Sequence, residues 1–354
     1  MKLQKNLLLS LSKKAARAIR PSLSAVRQCV KIEADGTVLS VTGMSNEMTI
    51  RAWMECEDDS ITTPFVCVVN AKLFVDILSA LVSDEVELTL QADEVTIHGG
   101  RTTLDVKTFD EASWAELPEF HPEASLKLDP ESILSCAHAL AKDKARGPIM
   151  DCFHIEVMEE GYRVTALDGF RIAQRMKNPA GAVIHDFIVN GDFMKEAIKL
   201  AGEEPLLETD DEKVRVTGPG IEISGQMTTG TYFNIDSLLS SKPKKTLKVD
   251  RKEFLDAINV AAIMDKTLVF DMSKTKIMLS SRRDNGKTNS EIPVLDAIVD
   301  DEKTIRVAIE ADFLTESLQN IPEEEVCLEM TDAVHPITMK NDSYLELVLP
   351  KKIK

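Results

Sequence analysis

The chain repeats one pattern three times at a spacing of 120 residues. VVNAKLFVDILSALVSDEVELTL from Val68, IVNGDFMKEAIKLAGEEPLLETD from Ile188 and AIEADFLTESLQNIPEEEVCLEM from Ala308 each run polar cap, amphipathic helix, acidic turn, strand. Asn70, Asn190 and Glu310 hold equivalent places. Three such copies account for the 354 residues. The period is too long for a solenoid repeat of roughly 20–50 residues and has the size of a small domain. The sequence therefore predicts three similar domains, 1–122, 123–243 and 244–354.

Each copy also opens with a helical segment, which apolar spacing predicts over Asn6–Ile19, Asp129–Lys142 and Asp250–Met264. Leu8, Leu11, Ala15 and Ile19 share a face of the first, Ile133, Ala137 and Leu140 of the second, and Phe254, Ile258 and Ala261 of the third. Asp129 before Pro130 reads as an N-cap, and Asp250 with Glu253 as a capping box. A hairpin follows each helix: VKIEADGTVLSVTG turning at Asp35-Gly36, FHIEVMEEGYRVTALDG turning at Glu160-Gly161, and LVFDMSKTKIMLSS. Each copy is then two helices packed on antiparallel sheet, an α+β class with six helix-plus-sheet halves. Pro118–Ala124 and Ser240–Lys245 read as linkers.

No apolar run approaches the roughly 18–20 residues of a membrane helix. At the N-terminus Leu7–Leu11 is too short for a signal-peptide core and runs into Lys13, Lys14 and Arg17, so it reads as the start of the first helix. The six cysteines form no CxxC pair and sit among strand and helix residues, which points to a reducing, cytoplasmic setting without disulfides or zinc. A net charge of −17, taken alone, argues against nucleic acid.

No catalytic constellation, cofactor motif or metal site emerges. His98, His121, His138, His154, His185 and His335 are scattered, without ligand spacing to one another, to Cys or to carboxylates. Gly99-Gly100 and Gly218-Pro219-Gly220 read as strand turns, and the acidic runs Asp58-Asp59, Asp300-Asp301 and Glu323–Glu325 as solvated loops. The cations are less even. Lys13, Lys14, Arg17 and Arg20 crowd the first helix, Lys142, Lys144 and Arg146 end the second, and Lys195 and Lys199 lie on its partner. On one helix this would be a solvated face; on several equivalent helices of an acidic chain it predicts a shared basic surface. The most specific local string is VTALDGFRIAQR, Val164–Arg175, a strand entering and leaving a tight Asp168-Gly169 turn.

That string is similar to the T-D-G-H-R-L-A motif of the bacterial DNA polymerase III β subunit family, the replicative sliding clamps. ADGTVLSVTGMSNEMTIRA, KLFVDILSAL with FDEASWAELPEF, TTGTYFNIDSLL and the ending LELVLPKKIK match that family in order and spacing. The resemblance implies a non-catalytic, cofactor-free homodimer closed head to tail into a ring around duplex DNA. It implies a clamp loader and a DNA polymerase among the partners, with short peptides docking in a pocket at Met150, Leu167, Gly169, Phe170, Arg171, Ile172, Ser240, Leu247, Leu347, Leu349 and Pro350. The ring joint maps to Leu104 and Val106 on the first copy and Ile263 and Met264 on the third. Phe170, Leu167 and Ser240 stand where the family often has His, Thr and Pro, and Lys351–Lys354 run past its usual end. Twelve helices at a spacing of roughly 10 Å make a circle about 38 Å across, and subtracting a helix radius of roughly 5 Å per side leaves about 28 Å, wider than B-form DNA. Such a hold is topological, which makes the acidic total tolerable. The rival is a diverged peptide-binding scaffold that encircles nothing.

Overall fold

The computed structural model describes residues 1–56, 64–117, 119–143, 147, 149–158, 161–177, 186–239, 242–300 and 302–352. The first copy runs β1 (Lys2–Gln4), α1 (Lys5–Ala16), β2 (Cys29–Asp35), β3 (Val38–Met44), β4 (Met48–Glu55), β5 (Phe65–Asn70), α2 (Ala71–Ala80), β6 (Glu85–Gln91), β7 (Glu94–Gly99) and β8 (Thr102–Phe109). The second runs β9 (Ala124–Lys127), α3 (Pro130–Leu134), β10 (Cys152–Met158), β11 (Gly161–Leu167), β12 (Arg171–Lys177), β13 (Phe187–Asn190), α4 (Gly191–Ala201), β14 (Leu206–Thr209), β15 (Lys213–Gly218) and β16 (Ile221–Gln226). The third runs β17 (Lys245–Asp250), α5 (Arg251–Ala261), β18 (Thr267–Met272), β19 (Lys276–Arg283), β20 (Gly286–Pro293), β21 (Asp296–Val299), β22 (Ile305–Glu310), α6 (Ala311–Gln319), β23 (Glu325–Met330), β24 (Ile337–Lys340) and β25 (Tyr344–Val348).

The period survives in the backbone: α2, α4 and α6 start at Ala71, Gly191 and Ala311, 120 residues apart. Asn70 Oδ1 accepts from the Leu73 N–H at 3.0 Å, and Asn190 Oδ1 from the N–H groups of Asp192 and Phe193 at 3.0 and 3.1 Å. Glu310 does not cap α6. A Glu side chain is one methylene too long for the short N-cap loop, and its carboxylate goes instead to Lys351 Nζ at 2.6 Å. Asp250 caps α5, accepting from the Glu253 N–H at 2.7 Å.

Two expectations need correction. The long helix expected over Asp129–Lys142 stops at Leu134 and continues only as a 3₁₀ turn, Ala137–Ala139. Past Leu134 the backbone bonds tighten to the 3₁₀ pattern, Cys136 N–H to Ile133 O at 3.2 Å and Ala139 N–H to Cys136 O at 3.0 Å, while His138 Nε2 is held 3.0 Å from Glu346 of β25. The first hairpin turns one residue late, at Gly36-Thr37, because Asp35 still pairs with Val38 and Gly36 takes the left-handed conformation, φ +58°. The glycine turns at Gly100 and Gly220 form as expected, each with positive φ. The turn at Glu160 and the acids Asp58, Asp59 and Asp301 lie outside the described residues.

The contacts divide the chain into two bodies, and the division falls inside the second copy. One holds a twelve-stranded sheet, β1-β6-β7-β8-β5-β2-β3-β4-β16-β15-β14-β9. Here β4 of the first copy pairs with β16 of the second, Ile50 opposite Ile223. The other holds a nine-stranded sheet, β13-β10-β11-β12-β25-β24-β23-β17-β21, and a four-stranded one, β20-β19-β18-β22. In the nine-stranded sheet β12 of the second copy pairs with β25 of the third, from Arg171–Val348 to Arg175–Tyr344. Main-chain hydrogen bonds thus cross both copy boundaries.

Two glycines set how closely helices approach strands. A Cβ on Gly43 of β3 would lie 2.1 Å from Ala15 O at the end of α1, and one on Gly218 of β15 the same distance from Ala201 O at the end of α4. Neither site tolerates a methyl group without moving a helix.

Behind the β12–β25 pair lies a buried ionic cluster. Glu346 has no exposed surface; its Oε1 is 2.7 Å from Arg175 Nη2 and its Oε2 is 3.0 Å from His138 Nε2. Arg175 also donates to Asn320 O at 2.8 Å. Deleting one partner leaves the other charge buried and unpaired, at a cost of about 3–5 kcal/mol. Glu346→Ala should therefore lower the urea midpoint by that equivalent with an unchanged m-value; a wild-type midpoint would show that the pair adds nothing net.

Candidate peptide pocket, joint edges and basic helix faces

The string singled out in the sequence folds as a side-chain-clamped turn. β11 and β12 pair up to Leu167–Ile172, and Asp168 Oδ1 accepts from the N–H groups of Phe170 at 2.9 Å and Arg171 at 3.1 Å. Gly169 sits at φ +85°, a conformation that favours glycine. Arg171 is buried: its Nε reaches Asp168 Oδ2 at 3.2 Å, its Nη1 pairs with the Glu316 carboxylate, and its guanidinium lies 4.8 Å from the Phe313 ring. Phe170, 44% exposed, stacks on Phe313 at 5.8 Å. The Leu349 N–H donates to Phe170 O at 2.8 Å, which brings Leu349 and Pro350 to the turn.

Around it Leu167, Ile172 and Leu347 share one apolar cluster with Tyr232, Ile235 and Leu345, and Met150 packs partly exposed against it. Most of the expected pocket residues are therefore drawn together. Leu247 is not: it is fully buried in a separate core with Phe254 and Phe270 and offers no surface. Ser240 lies outside the described residues. Sequence reasoning assigned no role to Tyr232, although its string TTGTYFNIDSLL was noticed; its hydroxyl donates to Cys152 O at 3.3 Å beneath the cluster. It also missed Phe313, a partly buried residue of α6 that no local signal set apart from the core.

The cations are more neutralised than the sequence suggested. Arg17 forks onto Glu196, Arg20 Nε is 3.3 Å from Glu47, Lys142 is 3.4 Å from Glu316 and Lys195 is 2.9 Å from Asp192. Lys13, Lys14 and Lys199 have no acidic partner among the described residues, and Lys144 and Arg146 lie outside them. Lys13, Arg17 and Arg20 of the first segment gather with Lys72 of α2 around a hollow of about 580 Å³.

At the expected joint, Ile263 projects 75% exposed beyond α5, while Met264 packs against the backbone at Gly286. Leu104 borders a hollow of about 540 Å³ lined by Ile77, Leu81 and Val82. Val106, expected there too, is already buried in its own sheet. Among the described residues, β8 pairs with β5 only through Thr108 and Phe109, and β20 pairs with β19 alone, so each body carries an open strand edge.

One histidine does have neighbours the sequence reading overlooked. His154 and Glu156, two apart on β10, share a face and come with Asp186 within 4.8 Å. Arg163 holds both Glu156 oxygens at 2.6 and 2.8 Å, and burial pushes the His154 imidazole below its ordinary value. The cysteines are free. Burial raises the Cys67 and Cys136 thiols to about 12, as suits inert core residues. Among the described residues no helix is long and apolar enough to cross a membrane.

Helix pairs on large antiparallel sheets that run between repeats are the architecture of a DNA polymerase sliding clamp. The crystal structure of such a clamp from Bacillus subtilis matches with a TM-score of 0.91 at 19% identity, covering 100% of this chain and 99% of that one. The beta subunit from the DNA polymerase of Streptococcus pyogenes matches with a TM-score of 0.89 at 19% identity, over 99% of both. The beta sliding clamp of Bacillus subtilis is 21% identical over 91% of this chain and 90% of its own length, and that of Escherichia coli K12 21% over 94% of each. The DNA polymerase III beta subunit N-terminal domain family matches residues 1–118, and its C-terminal domain family residues 236–351. The chain belongs to the DNA polymerase III beta subunit family.

Glu316 links the turn to Lys142. Burial alone would push its carboxyl up, but Arg171, with Lys142 behind it, holds it below its ordinary value. A depressed carboxylate contributes stability above its unfolded value, near 4.5, and loses it as pH falls through the folded value. Glu316→Gln should accordingly be less stable than wild type at neutral pH, with the gap closing as pH falls below the ordinary carboxylate value of 4.5. Parallel denaturation curves for the two proteins from neutral pH to below that value check this; a gap independent of pH would mean the charge is not involved.

Proposed function

We propose that two copies close head to tail into a ring around duplex DNA and act as a non-catalytic processivity factor, tethering a DNA polymerase and other replication proteins. The observation that carries this is the complementarity of the joint: one body has an open edge beside an apolar hollow at Leu104, the other an open edge beside the projecting Ile263. In this reading the domains are 1–122, 123–243 and 244–354, and the copy boundaries are hidden because sheets run across them. The docking pocket is the cluster around Gly169, with Met150, Leu167, Ile172, Leu347 and Leu349 as its apolar wall and Phe170 and Pro350 at its mouth. Arg171 is a buried strut beneath the turn. The pairing of Arg17, Arg20, Lys142 and Lys195 with carboxylates suits DNA held loosely by topology, with few counterions released. A cytoplasmic location follows from the same role.

Three measurements test this. Truncating Ile263 and Met264 to Ala removes the apolar knob, and loss of buried anchors costs several kcal/mol; sedimentation should then show monomers at micromolar concentration. Leu349→Ala or Ile172→Ala should weaken binding of a short peptide carrying Leu and Phe anchors, read by calorimetry. Protein loaded by its loader onto nicked circular DNA should co-elute with it on gel filtration and come off once the circle is cut. Equal retention on circular and linear DNA would mean ordinary surface binding, and retention on neither would favour the scaffold.

A further inference from the structure

The four-stranded sheet has one face buried and one bare. Leu268, Phe270, Ile277, Leu279, Val307 and Ile309 point into the core with Phe254 and Ile258 of α5 and Leu314 of α6. On the opposite face the register lines up Ala308, Val269, Ser280 and Asn289, one from each strand. These short side chains floor a groove of about 590 Å³ that crosses the strands. Along one wall Arg282 stands opposite Lys287. The C-terminal tail completes that wall: the Lys351 N–H donates to Ala308 O at 2.7 Å and its Nζ reaches Thr267 Oγ1 at 2.9 Å, which carries Lys352 to the groove. Arg282, Lys287 and Lys352 have no acidic partner among the described residues. Across the groove Arg306 is held by Asp271 at 3.0 Å, an exposed pair that a ligand carboxylate can exchange with little loss. In a chain of net charge −17, the unpaired cations Arg282, Lys287 and Lys352 along the groove's wall, against the carboxylate of Asp265 in its lining, make a local reversal of sign.

We propose that this groove is a second docking site, which takes an extended acidic peptide segment of a partner protein. Crossing four strands at about 4.8 Å each gives room for about four to five extended residues. Ser280 and Asn289 offer both donors and acceptors, as a peptide backbone requires, whereas a phosphodiester offers acceptors only. Among the described residues no aromatic side chain lines the groove, so they offer no stacking platform of the kind single-strand binders use. The site is separate from the pocket at Gly169 and does not depend on encirclement of DNA.

The probe is a fluorescein-labelled octapeptide of alternating Asp and Glu, with a Ser/Gln octapeptide as control, titrated into the full chain by anisotropy. Binding should be specific to the acidic peptide and weaken with salt. Reversing Arg282 and Lys287 to Glu should weaken it about tenfold or more. Ser280→Leu, which keeps every charge but fills the floor, should weaken it comparably, with melting temperatures confirming that both variants fold. An unlabelled peptide with Leu and Phe anchors for the first pocket should not compete. Binding indifferent to Ser280→Leu would reduce the site to diffuse attraction and overturn the proposal. So would a labelled ten-residue oligo-dT that binds more tightly through the same residues, since the groove would then be a nucleic-acid surface.

Discussion

Strand pairing between repeats is the constraint on which the rest of this molecule rests. β4 bonds to β16 in one body and β12 to β25 in the other, so no copy completes its sheet alone. A one-residue slip at either seam would turn every side chain to the wrong face. At β12–β25 it would also pull Arg175 away from Glu346 and separate Ile172 from Leu347. The apolar cluster at the turn and the buried ionic cluster behind it are therefore consequences of one register. The seam is where a buried charge pair has most value, because its cost when broken penalises the wrong alignment.

The repeat, the α+β class and the paired helices were legible because the 120-residue period carries chemistry with it. Polar caps at Asn70 and Asn190 and the apolar stripes that follow are local features, and local features survive in sequence. The helix after Asp129 was misjudged for the opposite reason. Its apolar spacing is sound, but His138 Nε2 is drawn to Glu346 on β25 and Arg175 of β12 donates to Ser135 O, contacts that no window of sequence contains. Glu310 was read as equivalent to two asparagines, and it is equivalent in position but not in reach.

The candidate site was legible in part. The string at Asp168–Arg171 marks a turn that the structure builds as expected, and Leu347 and Leu349 come to it through strand pairing. The burial of Leu247 and Val106 was not visible, since a strand's alternation does not say which face is covered. Nor was the pairing of cations. A count of lysines and arginines on helices overstates their field, because Glu196, Glu47 and Glu316 come from distant parts of the chain to meet Arg17, Arg20 and Lys142; Asp192, three residues before Lys195 on α4, is the one partner the sequence did show.

The contacts at Gly43 and Gly218 bear on how such a chain drifts. Where a helix rests on side chains, its height above the sheet changes whenever those side chains change. Here two helices rest on main-chain atoms, which are the same whatever residues flank them. At those two helix ends the spacing is set by the backbone and is vulnerable at the glycine, while the rest of each helix still packs through side chains such as Leu8, Leu11, Met194 and Ile198. That is one physical way for an architecture to persist at 19% identity: a helix end held against main-chain atoms keeps its height while the residues around it change, as long as no methyl group enters at the glycine.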